Sequence, residues 1–414
     1  MQLKRFTFLI ILLSGLYATK ASAQVLTQED SLAAGLIYKQ QATVLSGYGE
    51  ARYSLDTKRK SAESNLKRVV LFLGHKFNNK ISLFTELEVE DALSSSSGGD
   101  EGVTGRGSIS MEQAFLKFNL NPSTYIVAGL FIPRIGYINE NHLPTTFNGV
   151  DRPFLEEQII PSTWREVGVG LYGQVLSVPG LNYSLALTNG LNSEGFSGAN
   201  GIRGGRQLGQ AANGVNLGVS GSLLYYISNF RLQASGYIGG STALEQRVAD
   251  SLQLNSGVFG NAVTLGEVNA QYNNNGISIR TIGTFVHINN ADAINRAYAN
   301  NSPETMYGGY AELGYDILYS RYKGERSLTL FGRYEYIDLG AKIPANGIEN
   351  GANKKKYIVA GLTYKPIKGI AIKADYVERM TGDFNQALIV TPFPQQIPYF
   401  KNTGFVNLGI AYNF

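Results

Sequence analysis

GFVNLGIAYNF, residues 404–414, decides the fold class of this chain. Val406, Leu408, Ile410, Tyr412 and Phe414 fall on one side of an extended strand, and Asn407, Gly409, Ala411 and Asn413 on the other. A strict two-residue period with one apolar and one small or polar face suits a strand between lipid and a watery lumen. A lone strand in a bilayer would leave its edge N–H and C=O groups unpaired. Closing the sheet on itself removes the edge, so the strand is expected to be one stave of a barrel.

The opposite end of the chain agrees. Lys4 and Arg5 precede the apolar run 6–13, and Ala21, Ser22 and Ala23 supply a small-residue cleavage site before Gln24. This pattern predicts a secretory signal peptide over residues 1–23, too short and wrongly flanked for a spanning helix. No later segment approaches the roughly 18 uninterrupted apolar residues that a spanning helix needs. The chain has no Cys, which excludes a disulfide framework and a lipidated N-terminal Cys. Its 25 Tyr and 20 Phe suit aromatic girdles at the membrane interfaces, and its 48 Gly suit crowded strands. The formal charge is +4, but removing Lys4, Arg5 and Lys20 from the 36 basic residues leaves 33 against 32 acids. Nothing in that near balance points to nucleic acid as a partner.

Alternating segments recur along the chain. Sixteen are expected, near 43–55, 66–78, 80–90, 108–120, 123–131, 164–176, 181–189, 214–227, 230–240, 256–272, 275–288, 305–319, 326–337, 355–365, 369–379 and 403–414. Short turns rich in Asn, Pro, Gly or Ser, as at Asn121-Pro122 and Asn273-Asn274-Asn275, are hairpin signals. They alternate with longer polar connections near 56–65, 91–107, 132–163, 190–213, 241–255, 289–304, 338–354 and 380–402. Short turns on one side and long loops on the other match an outer-membrane barrel with periplasmic turns and extracellular loops. The expected organisation is a signal peptide, a short periplasmic or lumenal segment over 24–42, and a transmembrane antiparallel β-barrel over 43–414. No plug domain fits before the first strand, which disfavours energy-coupled uptake.

Phase assigns the lumen. In 80–90, Ile81, Leu83, Leu87 and Val89 share the lipid face, which leaves Glu86, Glu88 and Glu90 inside. The same reasoning turns Arg333, Glu335, Lys373 and Asp375 inward, together with Glu50, Arg52, Arg68, Lys76, Lys117, Arg231, Glu267, Arg280, Glu312 and Asp316. A basic side chain facing lipid near mid-membrane would cost about 2–4 kcal/mol. So many inward charges predict a hydrated bore, because pairing all of them dry carries a large desolvation penalty. Ion pairs such as Arg333 with Glu335 could instead brace the wall. Phe72, Phe84, Phe115 and Tyr226 are inward by phase, as a greasy slide or as wall packing.

The longest connection, 132–163, carries Arg134, Glu140, His142, Asp151, Arg152, Glu156 and Glu157. A loop of this length is uncommon unless functional. It follows the fifth strand and is expected to fold inward, narrowing the pore and setting selectivity through its charges. His75, His142 and His287 lie on separate segments without metal-like spacing, so no metal site is expected. The chain contains no G-x-S-x-G, H-E-x-x-H or P-loop motif, and neither a catalytic residue nor a cofactor is expected.

Five stretches resemble the phosphate-selective porin family: SGYGEARY (46–53), LFTELEVED (83–91), MEQAFLK (111–117), AGLFIP (128–133) and PSTWREVGVGLYG (161–173). Phe414 at the end of an amphipathic strand also resembles the signal by which the barrel-assembly machinery recognises outer-membrane barrels. The family resemblance implies a sixteen-stranded barrel in the outer membrane of a Gram-negative bacterium, usually a homotrimer, passing small ions. Its phosphate-selective members use a lumenal ladder of Arg and Lys with an arginine-rich constriction. This chain departs from that pattern: its inward set has eight basic residues against nine acids, and 132–163 has two Arg against four acids. The expected function is passive diffusion of small hydrophilic solutes or ions. A substrate-specific channel for an oxyanion or sugar, a barrel enzyme and a sealed structural barrel are the alternatives.

Overall fold

The computed structural model describes residues 42–91, 107–388 and 398–414. The expected signal peptide and residues 24–41 lie outside these, as do most of the connection 91–107 and part of 380–402. Sixteen antiparallel strands form one closed barrel, each bonded to its sequence neighbour. The ring shuts where β16 (Asn402–Asn413) pairs with β1 (Thr43–Asp56), from Tyr48 opposite Asn413 to Asp56 opposite Phe405. Just beyond β16, the N–H of Phe414 donates to Gly47 O at 3.0 Å, and the N–H of Gly47 returns a bond to Phe414 O at 3.2 Å. A Cβ at Gly47 would meet Val70 O at 2.5 Å, so the seam requires glycine there.

The phase predicted for the last strand holds. Leu408 is 52% exposed on the outer face, while its neighbour Asn407 is 3% exposed inside. Val406, Ile410, Ile372, Tyr376, Leu330 and Tyr334 are likewise exposed outward. No helix among the described residues is long and apolar enough to cross a membrane.

Four local expectations are corrected. The connection near 56–65 is not long: β1 and β2 (Ser61–Lys76) pair as far as Asp56 opposite Ser61, leaving a four-residue turn over 57–60. Asp56 Oδ1 accepts from the N–H groups of Lys58 and Arg59, both at 2.9 Å, an Asx-type closure that lets polar residues tighten the hairpin. The tenth strand, β10 (Val263–Asn274), starts later than its alternation suggested. The thirteenth, β13 (Ser327–Lys342), runs on past residue 337. The expected short turn at 320–324 holds one turn of helix, Tyr319–Tyr322.

Two β-bulges matter for the interior. Between β1 and β2 the register shifts so that Glu50 faces Arg68 while Ala51 faces Leu66. Lys67 is the extra residue. Between β3 (Ile81–Glu90) and β4 (Ser108–Asn121) it shifts from Glu86 opposite Gln113 to Leu87 opposite Met111, which makes Glu112 the extra residue. A bulge breaks strict alternation and re-aims a side chain. Glu112 and Gln113 are therefore both buried although adjacent, while Met111 is exposed outward. Replacing Leu408 with Arg is expected to destabilise the barrel by about 2–4 kcal/mol in urea unfolding from lipid vesicles, whereas Asn407→Ser on the inner face should cost less than half as much.

Candidate functional site

The loop 132–163 crosses the inside of the barrel and is anchored on nearly every side. Gly136, with φ of +75°, turns the chain inward, and its N–H reaches Glu267 Oε2 at 3.3 Å. Asn148 Nδ2 donates to Glu312 at 3.0 Å, the Val150 N–H to Asp375 at 2.6 Å, and the Leu155 N–H to Glu335 at 2.8 Å. Arg280 donates to Thr146 O at 2.8 Å. A short helix, α1 (Phe154–Gln158), stands at the far wall. Ile135, Leu155, Ile159 and Ile160 pack there against inward apolar residues including Ile282, Val286, Met306, Tyr310 and Val359. Fully burying such side chains contributes about 1.5–3 kcal/mol each.

The wall charges hold this loop and one another. Arg333 lies between Glu335 (2.8 Å) and Glu312 (3.0 Å). Arg68 joins Glu50 at 2.9 Å to Glu88 at 3.1 Å, and Arg165 approaches Glu88 at 3.7 Å. Arg134 binds Glu140 at 2.8 Å, and Arg231 closes on the other carboxylate oxygen of Glu140. Lys373 is buried with its ammonium 4.0 Å from the Phe147 ring centre, and Asp375 accepts from Asn407 at 2.7 Å. Lys117 is half-buried over the Tyr125 ring at 4.0 Å, and Lys76 and Glu90 sit half-buried at opposite ends of their strands. Much of the inward charge is thus paired and dry, the wall-bracing arrangement that the sequence left open beside a hydrated bore.

The predicted constriction residues separate by environment. Glu156 is buried, and its carboxylate accepts from the N–H groups of Tyr137 (2.7 Å) and Ile138 (2.6 Å) and from Tyr310 OH (2.8 Å). It shapes the loop from within. Arg152 is buried and donates to His142 O at 3.3 Å. Glu157 is half-buried, with its backbone carbonyl taken by Arg203 at 3.1 Å. Asp151 bridges Arg52 (2.8 Å) and Lys67 (2.9 Å). Burial alone would raise its carboxyl, but Lys67 and Arg52 hold it well below the usual carboxylate range. Burial acts likewise on Glu140, and Arg134 and Arg231 overcome it and keep that carboxyl low.

Asp151 and Arg52 face open space. They line a vestibule of about 750 Å³ at the long-loop end, with Arg59, Glu63, Gln158, Lys355, Arg379 and Asn407 among the other lining residues. Lys355 and Arg379 are held by neutral groups, Lys355 by Gln158 Oε1 at 2.8 Å and Arg379 by Thr403 Oγ1 at 3.5 Å. Phe72, Phe84 and Phe115 pack in series, with ring centres 6.0 and 5.2 Å apart. They form a buried cluster with Phe131 and Leu143 at the root of the loop.

Sequence phasing missed Lys67 and Glu112, because each is the extra residue of a bulge and falls out of step with its strand. His142 was expected to be a strand-end or loop residue and not a ligand, because no metal-like spacing accompanies it in the sequence. It lies with Nε2 3.6 Å from Glu112 and 3.8 Å from Glu86. Arg333→Met would leave Glu312 and Glu335 buried without their shared partner. The expected cost is about 3–5 kcal/mol by urea unfolding, largely recovered when both glutamates are also changed to Gln.

No family model matches this chain. An uncharacterized protein of Aquifex aeolicus is 29% identical over 379 residues, covering 87% of this chain and 82% of that one. Among solved structures, Salmonella typhi OmpF in complex with daunomycin superposes with a TM-score of 0.53 at 14% identity, covering 90% of this chain and 97% of that one. An anion-selective porin from Comamonas acidovorans gives 0.51 at 13%, covering 90% and 99%. The trimer form of Vibrio cholerae OmpT gives 0.50 at 12%, covering 90% and 100%. At these identities the likeness establishes the fold: this chain has the sixteen-stranded barrel architecture of outer-membrane porins.

Proposed function

We propose that the protein is an outer-membrane porin of a Gram-negative bacterium, a channel through which small hydrophilic solutes or ions diffuse down their gradients. The observation that carries this reading is the loop 132–163, drawn across a closed lumen and edged by a charged vestibule. A constricted bore with mixed charge on its walls passes solutes without trapping them. Arg52 and Asp151 are the selectivity residues at the constriction; Arg134, Glu140, Arg152, Glu156 and Glu157 act through the loop's shape and position. The protein performs no catalysis on this reading and uses no cofactor. Lipid surrounds the barrel, Phe414 serves recognition by the assembly machinery, and three copies associate, as the trimer form of the Vibrio structure supports. Residues 1–23 are removed on export, and 24–42 remain as a short periplasmic or lumenal segment.

A second reading is favoured by one observation. Lys355 and Arg379 face the vestibule with neutral partners, a setting that would hold an oxyanion and fits the resemblance to phosphate-selective porins. Planar-bilayer recording decides between the readings. The expected result for wild type is a stable ohmic conductance, with a reversal potential in a salt gradient that moves toward cations in the Lys355→Glu/Arg379→Glu variant. Inorganic phosphate that blocks chloride current at millimolar levels or below would establish the oxyanion-specific reading. Purified protein that inserts but carries no current would overturn both.

A further inference from the structure

Beneath the root of the inward loop, two carboxylates and an imidazole converge from three separate parts of the chain. Glu86 comes from β3, Glu112 from the bulge in β4, and His142 from the loop. One ligand atom from each lies within 4.8 Å of the other two, and all three side chains are buried. We propose that these residues form a binding site for one divalent transition ion of the Zn²⁺ class, which ties the loop to the barrel wall. This site is independent of whether the barrel conducts.

The spacing suits a metal better than direct hydrogen bonds between these atoms. His142 Nε2 stands 3.6 Å from Glu112 Oε1 and 3.8 Å from Glu86 Oε2. A hydrogen bond would draw such atoms to roughly 2.7–3.2 Å. Ligands bonded at about 2.0–2.1 Å around a tetrahedral centre stand about 3.4 Å apart, which small rotamer adjustments would reach here. Glu112 Oε1 is wholly buried, points toward the imidazole, and has no hydrogen-bond donor among the described residues.

The surroundings are those of a held ligand set. Tyr48 OH donates to Glu112 Oε2 at 2.9 Å, and Gln113 Nε2 donates to Glu86 Oε2 at 2.8 Å. Hydrogen bonds of this kind orient ligating carboxylates. The guanidinium of Arg68 is committed to Glu50 and Glu88, and Arg165 is drawn to Glu88. One imidazole nitrogen with carboxylate oxygens suits Zn²⁺ and its first-row neighbours better than Ca²⁺, which takes six to eight oxygens. Gln113 and His142 also line a small cavity of about 30 Å³ inside the barrel.

The test uses the full-length folded barrel, stripped with chelator and titrated with Co²⁺ as a spectroscopic probe. The proposal expects one Co²⁺ per chain, an intense visible d–d band of four-coordinate type, and its displacement by Zn²⁺. Glu112→Gln should weaken binding by about tenfold or more, and His142→Gln should abolish the band, while His75→Gln/His287→Gln leaves both intact. Wild-type protein that takes up neither Co²⁺ nor Zn²⁺, or a Co²⁺ affinity unchanged in folded Glu112→Gln, overturns it. Should the variants fail to fold, X-ray absorption on Zn²⁺-loaded wild type still decides: one imidazole with oxygen donors supports the site, and two or more imidazoles contradict it.

Discussion

A peptide group inside hydrocarbon has no water to bond, and each orphaned N–H or C=O costs several kcal/mol. That constraint makes the seam between the first and last strands the feature on which everything else rests. The bonds joining Phe414 to Gly47 and the paired run from Tyr48 to Asp56 convert fifteen hairpin neighbours into a ring without an edge. Once the ring exists, alternation has only two destinations, lipid and lumen. The apolar residues of β16 and its neighbours take the first, so the charges must take the second.

Charges placed inside a narrow ring face their own difficulty. Water can solvate them, or they can be paired, and this barrel does both. Toward the far wall the inward loop displaces solvent, and Arg333, Glu312 and Glu335 satisfy one another while Glu335 also receives the loop backbone at Leu155. Toward the vestibule, Arg52 and Asp151 pair but stay partly open, and Lys355 and Arg379 face the space. Ion pairs at the wall and apolar contacts around α1 therefore do one job: they fix where the loop lies and so where the opening remains. Breaking a buried pair costs more than forming it contributes, which makes the loop's position specific.

Most of the barrel was legible in the sequence because its physics is periodic. Strand number, closure and the facing of residues such as Glu86, Arg333 and Asp375 follow from a two-residue period against a solvent of two kinds. What escaped were departures from the period. Lys67 and Glu112 sit at bulges, and a bulge leaves no trace in hydropathy beyond one slip of phase. The tight turn over 57–60 was misjudged because its residues are as polar as those of a long loop. The inward course of 132–163 was inferred from length and place. Its contacts join residues more than a hundred positions apart, as Val150 does with Asp375, and pairings of that kind carry no local signal. The separation of hydrated from dry charge depends on those contacts and was likewise out of reach.

The chain lacks cysteine, so a single engineered pair reports on the loop without background. A Cβ built at Gly409 on β16 lies 3.0 Å from Cγ1 of Val150 on the loop, although the two are far apart in sequence. Val150 Cγ1 is one bond from its own Cβ, so the two Cβ atoms stand at most about 4.5 Å apart, within disulfide range. With Val150→Cys/Gly409→Cys in intact outer membranes, mild oxidation should give a near-quantitative intramolecular cross-link, seen as a mobility shift that reductant reverses. Thiols that stay free under conditions that oxidise an exposed control pair would contradict a loop lying across the lumen.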